Sequence, residues 1–184
     1  MLTPILIAIV AVIVLFLVVV AMRPSEFRVS RAATISGPAE AAFMQVNDLH
    51  KWEAWSPWAK MDPTAKTTYD GPPSGVGAGF AWAGNAKIGE GRMTITESRA
   101  TELVRFRLEF LKPFKGTNTA EFTFKPQGGK TLVTWSMEGK NNFISKAFGL
   151  FVNCDKMIGS QFEKGLADMN SIVAGESKKQ SVAA

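Results

Sequence analysis

The chain is poor in the side chains that most catalytic chemistry uses. Its 184 residues include one histidine, His50, one cysteine, Cys154, and one tyrosine, Tyr69. A single cysteine excludes an internal disulfide and a cysteine-rich metal site. Cys154 falls in an apolar helical pattern, which suits a packed thiol. The chain has no H-E-x-x-H, C-x-x-C or histidine cluster, so no dedicated metal site is expected. No nucleophile-elbow pattern supports a serine triad. The glycine run Gly75-Val76-Gly77-Ala78-Gly79 lacks the following lysine and the ribose-binding acid, so no nucleotide cofactor is expected and the run reads as a tight entry into a strand. The net charge of +5 is spread thinly, with its clearest cluster at Lys178-Lys179. That pattern argues against a nucleic-acid partner and fits a mild attraction to anionic lipid.

One stretch lacks charge altogether. From Ile5 to Met22 nearly every residue is Ile, Val, Leu, Ala or Phe. About 20 such residues span a bilayer core as a helix. No basic residue precedes the run and no small-x-small site follows it, which favours an uncleaved single-pass anchor over a signal peptide. Arg23, Arg28 and Arg31 flank its C-terminal side and place the domain in the cytoplasm by the positive-inside rule. The chain therefore divides into an anchor over 1–25, one domain over 26–174, and a polar tail over 175–184 expected to be disordered.

Aromatic residues are abundant: 13 Phe and five Trp. Three tryptophans, Trp52, Trp55 and Trp58, recur at every third position in NDLHKWEAWSPWAKMDP, residues 47–63. That spacing puts the rings on one side of a short helix or wound loop. Two readings stay open: the segment closes the open end of a curved sheet, or its rings plug the core and bind nothing. Before it, Phe27–Ile35 alternates as a strand, and Ala39–Val46 reads as a short helix after Ser36-Gly37-Pro38.

After it come short strands at Lys66–Tyr69 and Phe80–Ala83, then long ones at Gly89–Glu97, Glu102–Leu111, Thr119–Lys125 and Thr131–Glu138. Their alternation is that of an antiparallel sheet with one wet face. On the inward parity of the long strands lie Met93, Phe106, Phe110, Phe122 and Trp135. Glu97 shares that parity with Met93 and reads either as a polar group at a pocket rim or as a strand end in water; Arg92 falls on the opposite parity. From Asn142 to about Val173 the period becomes helical, and one helix of about 30 residues is expected, with Gly149, Gly159 and Gly165 bending it or admitting close neighbours. His50 reads as a half-exposed residue at a helix end. The order of elements predicts an α+β chain with its helices on one face of the sheet.

The region from about Phe27 to Asn170 resembles the START/polyketide-cyclase-like superfamily (SRPBCC). The likeness rests on Ser36–Phe43, Asp48–Trp58, Gly75–Gly79, Gly91-Arg92-Met93 with Ile95 and Glu97, Thr131–Trp135, and Phe162–Leu166. It implies a helix-grip fold: a curved antiparallel sheet of about six or seven strands wrapped on a long C-terminal helix, with an apolar tunnel between them. Members bind lipids, sterols, quinones or polyketides, and some are enzymes. On that footing a hydrophobic small molecule is the expected partner. Phe80, Trp82, Met93, Phe106, Phe110, Phe122, Trp135 and Phe162 would line its site, and Trp52, Trp55 and Trp58 would gate it. A cyclase or aromatase, or an interaction domain whose own aromatics fill the pocket, are the alternatives. No convincing acid/base pair stands out on the inward parity.

Overall fold

The computed structural model describes residues 2–183. An N-terminal helix, α1 (Leu2–Ala21), stands almost wholly exposed, and strand β1 (Glu26–Ile35) begins the folded domain. Three short helices follow: α2 (Ala39–Asn47), α3 (Trp52–Trp55) and α4 (Pro57–Met61), with a single 3-10 turn at Leu49–Lys51. Six strands come next in unbroken succession: β2 (Lys66–Asp70), β3 (Gly79–Ala83), β4 (Glu90–Arg99), β5 (Leu103–Lys112), β6 (Gly116–Gln127) and β7 (Lys130–Lys140). Helices α5 (Phe143–Phe148) and α6 (Cys154–Ala183) finish the chain. The sheet has seven antiparallel strands in the order β1-β7-β6-β5-β4-β3-β2, so the meander β2–β7 is completed by the first strand. Helices and sheet together form the α+β helix-grip arrangement.

The register sets up rows of side chains across the inner face. Val104, Phe122 and Trp135 are successive partners on β5, β6 and β7, and Phe106, Ala120 and Met137 form the next row. All six are buried. Across the wet face, Arg105 lies between Glu97 and Glu121 and bonds both, with Nη2 2.7 Å from a Glu121 carboxylate oxygen. Glu97 reaches that face because the register shifts between Ile95 and Glu97. A β-bulge at Thr96 adds one residue and reverses the alternation beyond it. Glu97 is therefore not an inner-face group, whatever simple parity suggests. Arg92 is on the wet face as its parity requires, paired with Asp70.

The C-terminal region is two helices, not the single one that the periodicity predicts. Asn142 caps α5 by accepting from the Ser145 N–H at 2.8 Å, and Gly149 ends the helix. Asn153 then accepts from the Lys156 N–H at 2.9 Å and starts α6. Two Asn caps around a glycine outweigh a continuous apolar stripe, because each supplies partners that helix ends otherwise lack. Helix α6 continues through Ala183, across the segment expected to be a disordered tail; Ala184 lies outside the described residues.

Helix α6 lies along β1. Gly159 gives room to the Arg31 guanidinium, which a Cβ there would strike. Arg31 points from β1 into this seam and pairs with Asp155 and Glu163, both at 2.8 Å. Its hydrogen bonds hold the Asp155 carboxyl below its ordinary pKa. Further along, a Cβ at Gly165 would lie 2.9 Å from the Trp135 ring. Both glycines thus admit close neighbours.

Candidate functional site

The three tryptophans of the 47–63 segment do two different things. Trp52 and Trp55 are core: Trp55 is wholly buried and Trp52 is 8% exposed. Their rings meet Phe106, Phe122 and Trp135 edge to face, with centroids 5.4 to 6.0 Å apart. Their indole N–H groups donate to the carbonyls of Val46 and Gln45, each at 3.0 Å, so both polar handles are satisfied inside. Trp135 in turn stacks on Phe162 of α6, centroids 4.1 Å apart. Trp58 is half-buried and leans edge-on against Trp135 and Phe162. Helix α4 is held to α6 by the Lys60–Asp168 pair at 2.6 Å. Between α6 and the middle strands, then, the space is filled by the protein's own rings.

The inner face of β2 to β5 is different. Tyr69, Phe80, Trp82 and Phe110 form a continuous aromatic strip, with neighbouring centroids 5.2, 6.0 and 6.1 Å apart. Phe80, Trp82, Phe110 and the adjacent Leu108 are half-buried, and Tyr69 is 37% exposed. The Trp82 ring lies against Gly91, where a side chain would displace it, and its N–H donates to the Ile88 carbonyl at 3.0 Å. Met93 is buried beneath the strip, beside Phe80.

The strip ends in polar groups. His50 stacks on Tyr69, centroids 4.1 Å apart and planes within 18°. Asp48 accepts from the His50 backbone N–H at 3.0 Å and lies 3.2 Å from its Nδ1, which orients the ring. Burial first, and then the Glu53 and Asp48 charges, push the Tyr69 phenol above its ordinary pKa, so it stays a donor at neutral pH. Beside them a cleft of about 310 Å³ opens between Leu49, His50, Tyr69 and the Gly71-Pro72-Pro73 turn. By sequence alone His50 reads as an isolated helix-end residue and Tyr69 as a strand end. No local signal joins two residues 19 positions apart; the pairing of β2 with β3 and the short turn at Leu49–Lys51 bring them together.

Of the eleven residues expected at the ligand site, seven are therefore buried: Trp52, Trp55, Met93, Phe106, Phe122, Trp135 and Phe162. Trp58, Phe80, Trp82 and Phe110 keep accessible surface. Among the described residues, no group of three or more His, Cys, Asp or Glu is placed to hold a metal ion.

Residues 26–173 match the family described as polyketide cyclase/dehydrase and lipid transport. The chain belongs to that family. Solved structures agree on the fold. A Chromobacterium violaceum protein superposes with a TM-score of 0.58 at 15% identity, over 83% of this chain and 99% of that one. The Aha1 dimer of Colwellia psychrerythraea gives 0.58 at 10% identity, over 80% and 96%. CalU16 of Micromonospora echinospora gives 0.53 at 12% identity, over 84% and 88%. No curated protein matches the chain in sequence. The polyketide-cyclase/lipid-transport family match begins at the first residue of β1 and leaves α1 outside it.

Proposed function

We propose that this family member binds an apolar small molecule, of lipid, quinone or polyketide-like chemistry, while tethered to a membrane by α1. The observation that carries the reading is the aromatic strip Tyr69–Phe80–Trp82–Phe110, which keeps accessible surface on the inner face of a sheet whose other half is filled. A flat apolar molecule laid on it gains roughly 25 cal/mol per Å² of apolar surface removed from water. Phe80, Trp82 and Phe110 are the contacts in this reading, and Trp58, half-buried against Trp135 and Phe162, is the one ring of the tryptophan segment left accessible to gate them. Helix α1 supports the tether: it is 20 residues long, with mean hydropathy 3.4 and 6% of its apolar window buried. Its basic flank on the C-terminal side favours a cytoplasmic domain.

The test is thermal melting of the full chain in detergent against quinones, fatty acids, sterols and aromatic polyketides. A midpoint that rises with the concentration of one class is expected, because a ligand that binds only the folded state stabilises it. The variant Trp82→Ala with Phe110→Ala should lose the rise. No shift with any class, or a shift that survives the double variant, overturns the reading.

Asp48, His50 and Tyr69 favour a second reading, in which the strip positions a substrate for proton transfer at its polar end. An imidazole aimed by a carboxylate beside a phenol is suited to moving a proton at an enolisable carbonyl. Under it, His50→Ala would abolish turnover of a bound polyketide while leaving its binding intact. Equal turnover by the variant rejects it.

A further inference from the structure

Exposed apolar side chains on the folded domain are concentrated at one end. Phe143, Ile144 and Phe148 on α5 are 48%, 56% and 53% exposed, and Phe151 in the following turn is 80% exposed. Leu111 and Phe114, at the β5–β6 hairpin, are 52% and 60% exposed. The strand pairing puts both groups at the same edge of the fold: Glu26 faces Lys140, Asn118 faces Gly139, and Phe110 faces Gly116. Helix α1 arrives at that edge too, since only residues 22–25 separate it from β1.

The junction there is built. Arg23 donates to the Gly149 carbonyl at 3.0 Å, Lys146 reaches the Ser25 hydroxyl at 2.9 Å, and the Asn141 N–H donates to the Ser25 carbonyl at 2.8 Å. Val20, alone in α1, is fully buried. So α5 is fixed beside the end of the anchor with its phenylalanines outward. Large exposed apolar patches mark interaction surfaces, and this one is interleaved with exposed or half-exposed cations at Arg23, Lys115 and Lys146, while Lys112 is paired with Glu90 at 2.7 Å. Apolar side chains among cations suit the interfacial layer of a bilayer that carries anionic headgroups.

We infer that α5 and the β5–β6 hairpin form a rim that inserts into the leaflet from which α1 emerges, and that the domain is docked on the membrane as well as tied to it. Phe110, the last ring of the aromatic strip, is adjacent to Leu111 of this rim, so docking turns one end of the strip toward acyl chains. An apolar molecule then enters from the bilayer without crossing water. The inference rests on the tether reading of α1.

The test uses the full chain in vesicles of phosphatidylcholine with a phosphatidylglycerol fraction. In a Cys154→Ser background, a nitroxide is attached at Phe148→Cys, Phe114→Cys, Leu15→Cys or Val76→Cys. Leu15 reports on the anchor, and Val76 on the loop before β3, away from the proposed rim; both are exposed. Collision of each label with oxygen, which concentrates in lipid, is compared with collision with a water-soluble nickel chelate. Oxygen should dominate at positions 148, 114 and 15, and nickel at 76. Oxygen at 15 with nickel at 148 and 114 overturns the docked rim and leaves the tether standing. Nickel at 15 rejects the tether, and the rim with it. Oxygen at all four positions, 76 included, also overturns the inference, because the membrane would then not select this edge.

Discussion

The two halves of the inner sheet face use the same chemistry to opposite ends. Over β5, β6 and β7, Trp52 and Trp55 descend from α3 onto Phe106, Phe122 and Trp135, and rings fill the space. Over β2 to β5, Tyr69, Phe80, Trp82 and Phe110 lie side by side and stay half-covered. Aromatic content does not distinguish them; a second layer does. One half receives a helix that brings its own rings and satisfies their N–H groups on the α2 backbone, and the other does not. The lesson is that an aromatic inner face predicts a pocket only where nothing of the same kind is packed on it.

The sharpest way to break the comparison is to truncate one ring in each half. Trp55→Ala removes a wholly buried indole and leaves the Gln45 carbonyl without its donor. It should cost about 3–5 kcal/mol of unfolding free energy. Phe110→Ala removes a half-buried ring with little second layer. Its cost should be about 1 kcal/mol, in proportion to the area withdrawn from water. Chemical denaturation of the two variants measures both, and equal losses would erase the distinction between the halves.

A second comparison lies within α6. Gly165→Ala places a methyl 2.9 Å from the Trp135 ring and 3.2 Å from Pro57, on the sealed side. Neither neighbour is a free chain end, so overpacking of about 1–3 kcal/mol should exceed the gain of up to about 1 kcal/mol from replacing a helical glycine. Gly175→Ala meets nothing within 4 Å and should show that gain alone. The same substitution on one helix should therefore move the melting midpoint in opposite directions.

Much of this architecture is legible in the sequence. Alternation locates the strands to within a few residues, since a half-wet antiparallel sheet imposes a period of two. The plug reading of the tryptophan segment is open there too, yet nothing local decides which of Trp52, Trp55 and Trp58 points inward. That depends on where α3 ends and Pro57 restarts the chain. The break between α5 and α6 was carried by Asn142, Gly149 and Asn153, small signals beneath a strong apolar period. The face that Glu97 takes is hidden from simple parity, because a bulge inserts one residue without changing composition. The His50–Tyr69 stack is a product of tertiary folding alone, and so is the apolar rim: Phe148 and Phe151 fall in the apolar period of the single helix expected there, yet both side chains are exposed.

The smallest expected effect concerns acid. Asp62 closes α4 onto the β3 end, accepting from the Thr64 hydroxyl at 2.7 Å, the Asn85 N–H at 2.7 Å and the Thr64 N–H at 3.1 Å. These bonds, the Thr64 hydroxyl first and then the Asn85 amide, hold its pKa below the ordinary carboxylate value. A carboxyl whose pKa is lower in the folded state contributes stability that is fully present above the unfolded value, about 3.9, and is lost as pH falls through the folded one. Asp62→Asn keeps an acceptor oxygen and abolishes the titration. Between pH 7 and about 4 the two melting curves should run parallel. Below about 4 the wild-type midpoint should fall faster than that of the variant, by the share that Asp62 contributes. Asp155, held down by Arg31 across the β1–α6 seam, adds the same sign in the same window. Combining Asp62→Asn with Asp155→Asn should therefore flatten the acid limb further than either change alone, and an unchanged limb would mean that neither carboxylate is linked to folding.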